Sequence, residues 1–163
     1  MKKYYALPNL TKIIKKLKKK NKKIVLANGC FDLIHVGHIR YLKEAKDLGD
    51  ILVVALNNDS SVRSLKGPGR PLMPEFDRAE LIGSFSCVDY VTIFSEKDVN
   101  HVVKALQPDF HAKGSDYTVD SVPEKETVKR HGGKTAITGG PKIRSTSEII
   151  DSISRMFQKK LNK

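Results

Sequence analysis

The sequence predicts an α/β fold: a three-layer sandwich with a five-stranded parallel sheet and helices on both faces. Three observations predict it. Short apolar runs suited to buried strands alternate with segments of helical periodicity. Such alternation implies right-handed crossovers and a sheet covered on both sides. The chain has 163 residues, enough for one three-layer core. The polar, chemically versatile residues cluster just after the apolar runs, where open parallel sheets bind ligands.

The elements follow in order. Residues 1–23 hold ten lysines and no acid, so of the net charge of +12 the remaining 140 residues carry only +2. Leu10, Ile13, Ile14 and Leu17 recur at helical spacing, which predicts a basic amphipathic helix. Its apolar side is expected to dock on the domain or on a second subunit rather than to contact nucleic acid or a membrane surface. The chain is thus read as a tail, 1–23, and a domain, 24–163. Every candidate site residue lies beyond position 28, so removing the tail is expected to leave the chemistry largely unchanged.

Residues 24–27, I-V-L-A, form the first strand, and a helix with Ile39, Leu42, Ala45 and Leu48 on one face begins near His38. Residues 51–56 are the second strand, and the polar stretch 57–70 is expected to be a loop or to begin as one. A helix over 74–84 has proline near its first position and acids in its first turn. A third strand spans 90–94, and a helix over 99–106 stops before Pro108. The fourth strand, 110–113, ends at Gly114, and a helix over 123–130 is stopped by Gly132-Gly133. The fifth strand is 135–138, with Gly139-Gly140-Pro141 as breaker. The last helix runs from 146 to about 161, apolar at Ile149, Ile150, Ile153 and Phe157.

Several classes are excluded. No apolar run approaches the ~20 residues of a membrane span. The lysine-rich start lacks the apolar core of a secretory signal. Two cysteines, Cys30 and Cys87, do not make a disulfide framework, and a cytoplasmic protein is expected. Cys30 is read as a small residue packed beside the sheet.

Four segments after strands carry the chemistry. The first is residues 29–38, G-C-F-D-L-I-H-V-G-H, a strand-to-helix turn. Gly29 and Gly37 relax its backbone. His35 and His38 stand three apart on one face beside helix-start amides, an arrangement that suits phosphate oxygens. The second is the 66–70 loop with Lys66 and Arg70, the third is 113–117 with Lys113 and Asp116, and the fourth is 144–147. Each has a plainer role open to it: Ser145 with Glu148 forms a capping-box pattern, Lys66 and Arg70 are ordinary loop charges, and Asp116 can cap a turn or pair with Lys113. Their convergence is the stronger reading.

The ten-residue turn resembles the signature of the nucleotidyltransferase superfamily, whose H-x-G-H follows the first strand of a Rossmann-like sheet. Further segments are similar to the branch that makes ADP-heptose: N-G-C-F-D from Asn28, L-K-G-P-G-R-P from Leu65, R-A-E-L from Arg78, K-G-S-D-Y from Lys113 and S-T-S-E-I-I from Ser145. Glycerol-3-phosphate cytidylyltransferases are similar too, but open with G-T-F-D. Two departures from the heptose pattern are His111-Ala112, where aliphatic residues are usual, and the run G-G-P-K-I-R over 139–144.

The resemblance implies AMP transfer from ATP to heptose 1-phosphate, with release of pyrophosphate. It assigns His35, His38 and Lys66 to catalysis, the histidines on α- and β-phosphate oxygens. Gly29, Cys30, Phe31, Gly37, Lys113, Gly114, Asp116, Arg144, Ser145 and Thr146 are assigned to the nucleotide. Asp32, Arg70, Arg78 and Tyr117 are assigned to the second substrate, with Asp32 read chiefly as orienting the turn. Mg²⁺ is expected to be held mainly by the triphosphate, with no protein metal site. The expected partners are ATP and a sugar 1-phosphate, without nucleic acid or stable membrane insertion, in a homodimer. The alternatives are CTP with an alcohol phosphate such as glycerol 3-phosphate, an aminoacyl-tRNA synthetase relative, for which the chain is short, and a basic nucleic-acid-binding module.

Overall fold

Strand β1 (Ile24–Gly29) opens with four fully buried apolar residues and ends on Asn28 and Gly29. The structure is a computed structural model, and it describes residues 3–141 and 145–161. With β2 (Ile51–Asn57), β3 (Tyr90–Phe94), β4 (Phe110–Gly114) and β5 (Lys134–Thr138), β1 forms an all-parallel sheet ordered β3-β2-β1-β4-β5. The Rossmann-like α/β class is the one predicted. The chain lays β2 and β3 to one side of β1, then crosses back to place β4 on the other. The carboxyl ends of β1 and β4 therefore flank the crevice where strand order reverses, and ligands bind at such points.

Alternation along the strands sorts the two cores. Val25, Ala27, Leu52, Val54 and Leu56 face α2 (Val36–Asp47) and α4 (Glu75–Ser84), meeting Tyr41, Leu42, Ala45, Ala79 and Ile82. Ile24, Leu26, Val53 and Ala55 face α1 (Leu7–Lys18), α5 (Asn100–Leu106) and α6 (Lys125–Arg130) through Leu10, Ile14, Val102, Val103, Leu106 and Val128. The apolar side of α1 thus docks on the sheet, as its periodicity predicts. Leu10 and Ile14 are fully buried, and the Tyr5 amide donates to Val91 O at 2.9 Å. Removing residues 1–23 would strip these side chains from the second core, so the truncation costs stability even though no site residue lies there.

The stretch 57–70 differs from the loop expected. It forms α3 (Asp59–Lys66), and only 67–74 connects it to α4. The Asn58 side chain caps α3 by accepting from Ser61 N at 2.8 Å, Glu75 takes the Asp59 amide at 2.8 Å, and Val62 is fully buried. These tertiary contacts offset a composition rich in serine and aspartate. The last helix is α7 (Thr146–Leu161). Among the described residues, no helix is long and apolar enough to cross a membrane.

Candidate functional site

The turn after β1 is built to hold two imidazoles. Phe31 takes a positive φ of 50°, unusual for a residue with a Cβ, and its ring is buried. Gly29 makes this possible, since a Cβ there would meet the Phe31 ring at 3.1 Å. The Phe31 ring lies 5.1 Å from that of His38, which stacks on His35 at 3.9 Å between centroids. His35 is the N-cap of α2: its Nδ1 accepts from Gly37 N at 3.2 Å, while His38 Nδ1 accepts from His35 N at 3.4 Å. The helix thus begins at Val36, slightly earlier than expected. With both Nδ1 atoms accepting, a neutral ring carries its proton on Nε2 and offers a donor there.

Burial, helped by neighbouring His35, pushes the His38 pKa down to about 4, so this imidazole is neutral at pH 7. Buried His111 is likewise lowered, to about 3. A base whose folded pKa lies below its unfolded value of about 6.5 takes up protons on unfolding. The stability due to these neutral rings is complete above pH 6.5 and is lost as pH falls toward about 4 for His38 and about 3 for His111. Between those limits the slope approaches about 1.4 kcal/mol per pH unit for each histidine. Urea midpoints are expected to be lower at pH 5 than at pH 7.5, and replacing His111 by leucine should flatten the difference.

Around this turn the structure gathers a cleft of about 950 Å³, at the upper end of the size range for small-molecule sites. It is lined by Gly29, Cys30, Phe31, Asp32, His35, Gly37 and His38 from the first segment, and by Lys66 and Arg70 from the second. Lys113, Gly114, Asp116 and Tyr117 come from the third, and Ser145 and Thr146 from the fourth. Thr146 Oγ1 donates to Leu33 O at 3.3 Å, tying the start of α7 to the histidine turn. The capping box is formed: Glu148 Oε2 accepts from Ser145 N at 2.9 Å, and Ser145 Oγ accepts from Glu148 N at 3.2 Å. Gly139, at φ 99°, lets the chain pass Tyr41, whose Cα would lie 3.2 Å from a Cβ there. Arg144 lies outside the described residues.

Three side chains assigned to substrate are held by partners within the protein. Arg78 is fully buried, and donates to Cys30 O at 2.5 Å, Asn57 O at 2.9 Å, Met73 O at 2.9 Å and Asp59 Oδ1 at 2.6 Å. With no exposed surface and these donors engaged, it cannot touch a ligand; it braces the floor of the cleft. Buried Asp32 accepts from Arg70 Nε at 2.5 Å and from the Leu72 and Met73 amides at 2.7 and 3.1 Å. It orients the turn and fastens the 67–74 loop, as its position suggested, and Arg70 is its partner. Lys113 is also unlike a surface charge. It is buried, ion-paired to Glu124 at 3.4 Å, and 4.7 Å from the centre of the Tyr117 ring. Burial raises the Cys30 thiol pKa, which suits the packed, unreactive cysteine expected.

Sequence reasoning missed Asn28, Asn57, Lys97, Asp98 and Glu124, all of which line the cleft. The first four follow or end strands β1, β2 and β3, a positional signal that was available. Glu124 carried no such signal. Among the described residues, no group of three or more His, Cys, Asp or Glu could hold a metal ion.

The cytidylyltransferase-like family profile matches residues 26–154. The chain belongs to the cytidylyltransferase-like family. Its matching segment takes in the strand-to-helix turn, the 66–70 segment, 113–117 and the start of α7. Among relatives, the bifunctional protein HldE of Geobacter metallireducens is 46% identical over 151 residues, 93% of this chain and 31% of that protein. HldE of Helicobacter pylori is 46% identical over 146 residues, 90% of this chain and 31% of that protein. This cytidylyltransferase-like chain therefore spans about a third of the length of the curated relatives it matches. A lipopolysaccharide core biosynthesis protein from Thermoplasma volcanium superposes with a TM-score of 0.61 at 34% identity, covering 71% of this chain and 93% of that one. The fold is also shared by a pantoate-beta-alanine ligase from Francisella tularensis, with a TM-score of 0.56 at 17% identity over 88% of this chain and 68% of that one.

Proposed function

We propose that this chain transfers AMP from ATP to heptose 1-phosphate, giving ADP-heptose and pyrophosphate for a lipopolysaccharide core or other surface glycan. The observation that carries the reading is the stacked His35–His38 pair at the start of α2, tied through Leu33 to the start of α7. Two helix N-termini and two imidazoles then face one cleft, a setting for a polyphosphate. The HldE relatives and the lipopolysaccharide core protein support the heptose branch.

In the reaction, an oxygen of the sugar phosphate attacks the α-phosphorus in line, and the bond to the β-phosphate oxygen breaks as pyrophosphate leaves. The nucleophile is already ionised at pH 7, so no strong base is needed. The protein's part is positioning and charge stabilisation. Nε2–H of His35 and His38 donates to α- and β-phosphate oxygens, exposed Lys66 adds positive charge from the end of α3, and Ser145 and Thr146 receive the β- and γ-phosphates. Tyr117, more than a third exposed, offers an aromatic face to a base or sugar ring. Mg²⁺ would be held mainly by triphosphate oxygens and would supply further positive charge there.

Pyrophosphate release, measured for ATP and CTP with heptose 1-phosphate and glycerol 3-phosphate, tests the reading. ATP with heptose 1-phosphate should have the highest kcat/KM. A glycerol phosphate would leave polar groups of a heptose-sized pocket unpaired, at about 1–3 kcal/mol for each buried one. Preference for CTP with glycerol 3-phosphate would overturn the substrate assignment and leave phosphoryl chemistry standing. We place the enzyme in the cytoplasm as a homodimer. The exposed Ile153, Met156 and Phe157 of α7 support self-association, and a monomer mass in sedimentation equilibrium would refute it.

A further inference from the structure

The sheet face covered by α5 and α6 changes character at its carboxyl end. Leu26 and His111 are register partners on that face, so Asn28 and Lys113, two residues further along each strand, share it. His111 is fully buried, with Nε2 3.0 Å from Asn28 Oδ1, and Lys113 Nζ lies 3.4 Å from the same oxygen. An ammonium only donates, so the Asn28 atom that faces it is the carbonyl oxygen, and His111 must donate from Nε2. Its Nδ1 is then bare, and it is buried with no hydrogen-bond partner. Burial and the Lys113 charge keep this ring neutral. A buried imidazole with one orphaned nitrogen is a costly way to fill space that leucine would fill. Its effect is to fix Asn28. With Oδ1 held from two sides, the amide cannot rotate, and Nδ2 turns away from both donors. Asn28 lines the cleft, and no described residue accepts a hydrogen bond from its Nδ2.

We propose that His111 is a positioning residue: with Lys113 it locks the Asn28 amide so that Nδ2 donates to an oxygen of a substrate in the cleft, a phosphoryl or a sugar hydroxyl oxygen. The inference rests on the proposed nucleotidyl transfer and adds a residue to its substrate recognition. One lost oriented hydrogen bond corresponds to about a tenfold weaker interaction.

The test uses the full chain and the variants His111→Leu, His111→Gln, Asn28→Asp and the double variant His111→Leu/Asn28→Asp. Expected is a KM about tenfold higher for one substrate in His111→Leu and in Asn28→Asp, with kcat changed far less. The double variant should be no worse than either single one, and glutamine, which keeps a donor, should restore most of the loss. A raised KM for ATP alone assigns the oxygen to the nucleotide; a raised KM for heptose 1-phosphate alone assigns it to the sugar phosphate. An unchanged KM in His111→Leu, or additive losses in the double variant, would overturn the proposal. A ¹⁵N imidazole spectrum of the substrate-free protein judges the lock independently of any reaction. It should show His111 neutral and protonated on Nε2 at pH 5. Protonation on Nδ1, or an imidazolium, would overturn the proposal even if no substrate pair were turned over, an outcome that would sink only the functional reading.

Discussion

Replacing His38 or His35 by alanine should lower kcat by about 10²–10³-fold, the usual cost of removing one oriented donor from a developing charge. Alanine alone is an ambiguous probe here. His35 accepts the Gly37 amide and His38 accepts the His35 amide, so each imidazole also caps α2. Loss of a cap costs about 0.5–2 kcal/mol, and part of any drop in activity could be unfolding. His35→Asn separates the roles. Asparagine caps a helix as well as any residue, but its short amide cannot reproduce the position of Nε2. This variant should keep the wild-type urea midpoint and still lose most of its turnover. Full activity in His35→Asn would remove His35 from the phosphate site. Neutral His38 adds a second expectation: kcat/KM, which reports the free enzyme, should show no step near pH 6.5 that His38→Asn abolishes, because in the unliganded protein that ring takes up its proton only near pH 4.

Arg78→Met should be the most damaging single substitution to stability, at about 3–5 kcal/mol. The guanidinium is fully buried and joins the ends of β1 and β2, through Cys30 O and Asn57 O, to the 67–74 loop at Met73 O and to Asp59 of α3. Methionine fills similar volume but leaves three carbonyls without this donor, and each that stays dry costs about 1–3 kcal/mol. Asp59 is a third exposed, so its charge finds water and adds less. Set against a typical domain stability of about 5–15 kcal/mol, the loss is large enough to bring unfolding near working temperature. Arg78→Lys should recover only part, since one ammonium cannot serve acceptors spread around a planar fork. Urea unfolding measures both variants. A stable Arg78→Met protein with only a raised KM would restore Arg78 as a substrate contact.

The sequence by itself determined the layers and the segments that line the candidate site. Apolar runs such as 51–56 announce buried strands because a strand covered on both faces has no polar side to show. The turn at 29–38 was legible because glycines, histidines and a helix start are local features, as was the Ser145–Glu148 cap. Tertiary structure decided what local pattern cannot encode. The stretch 57–66 became helical because Glu75, sixteen residues past Asp59, takes its amide, and because Val62 finds the core. Arg78, Asp32 and Arg70 look like ligands in a list of charges. Burial and partners 38 to 48 residues away make Arg78 and Asp32 braces and give Arg70 to Asp32. His111 and Lys113 share a strand face with Asn28 only because β4 lies beside β1, a neighbour 85 residues away from Lys113 in the chain. A residue's chemistry can be read from its type, but whether it meets water, substrate or another side chain is set by which distant strands lie next to it.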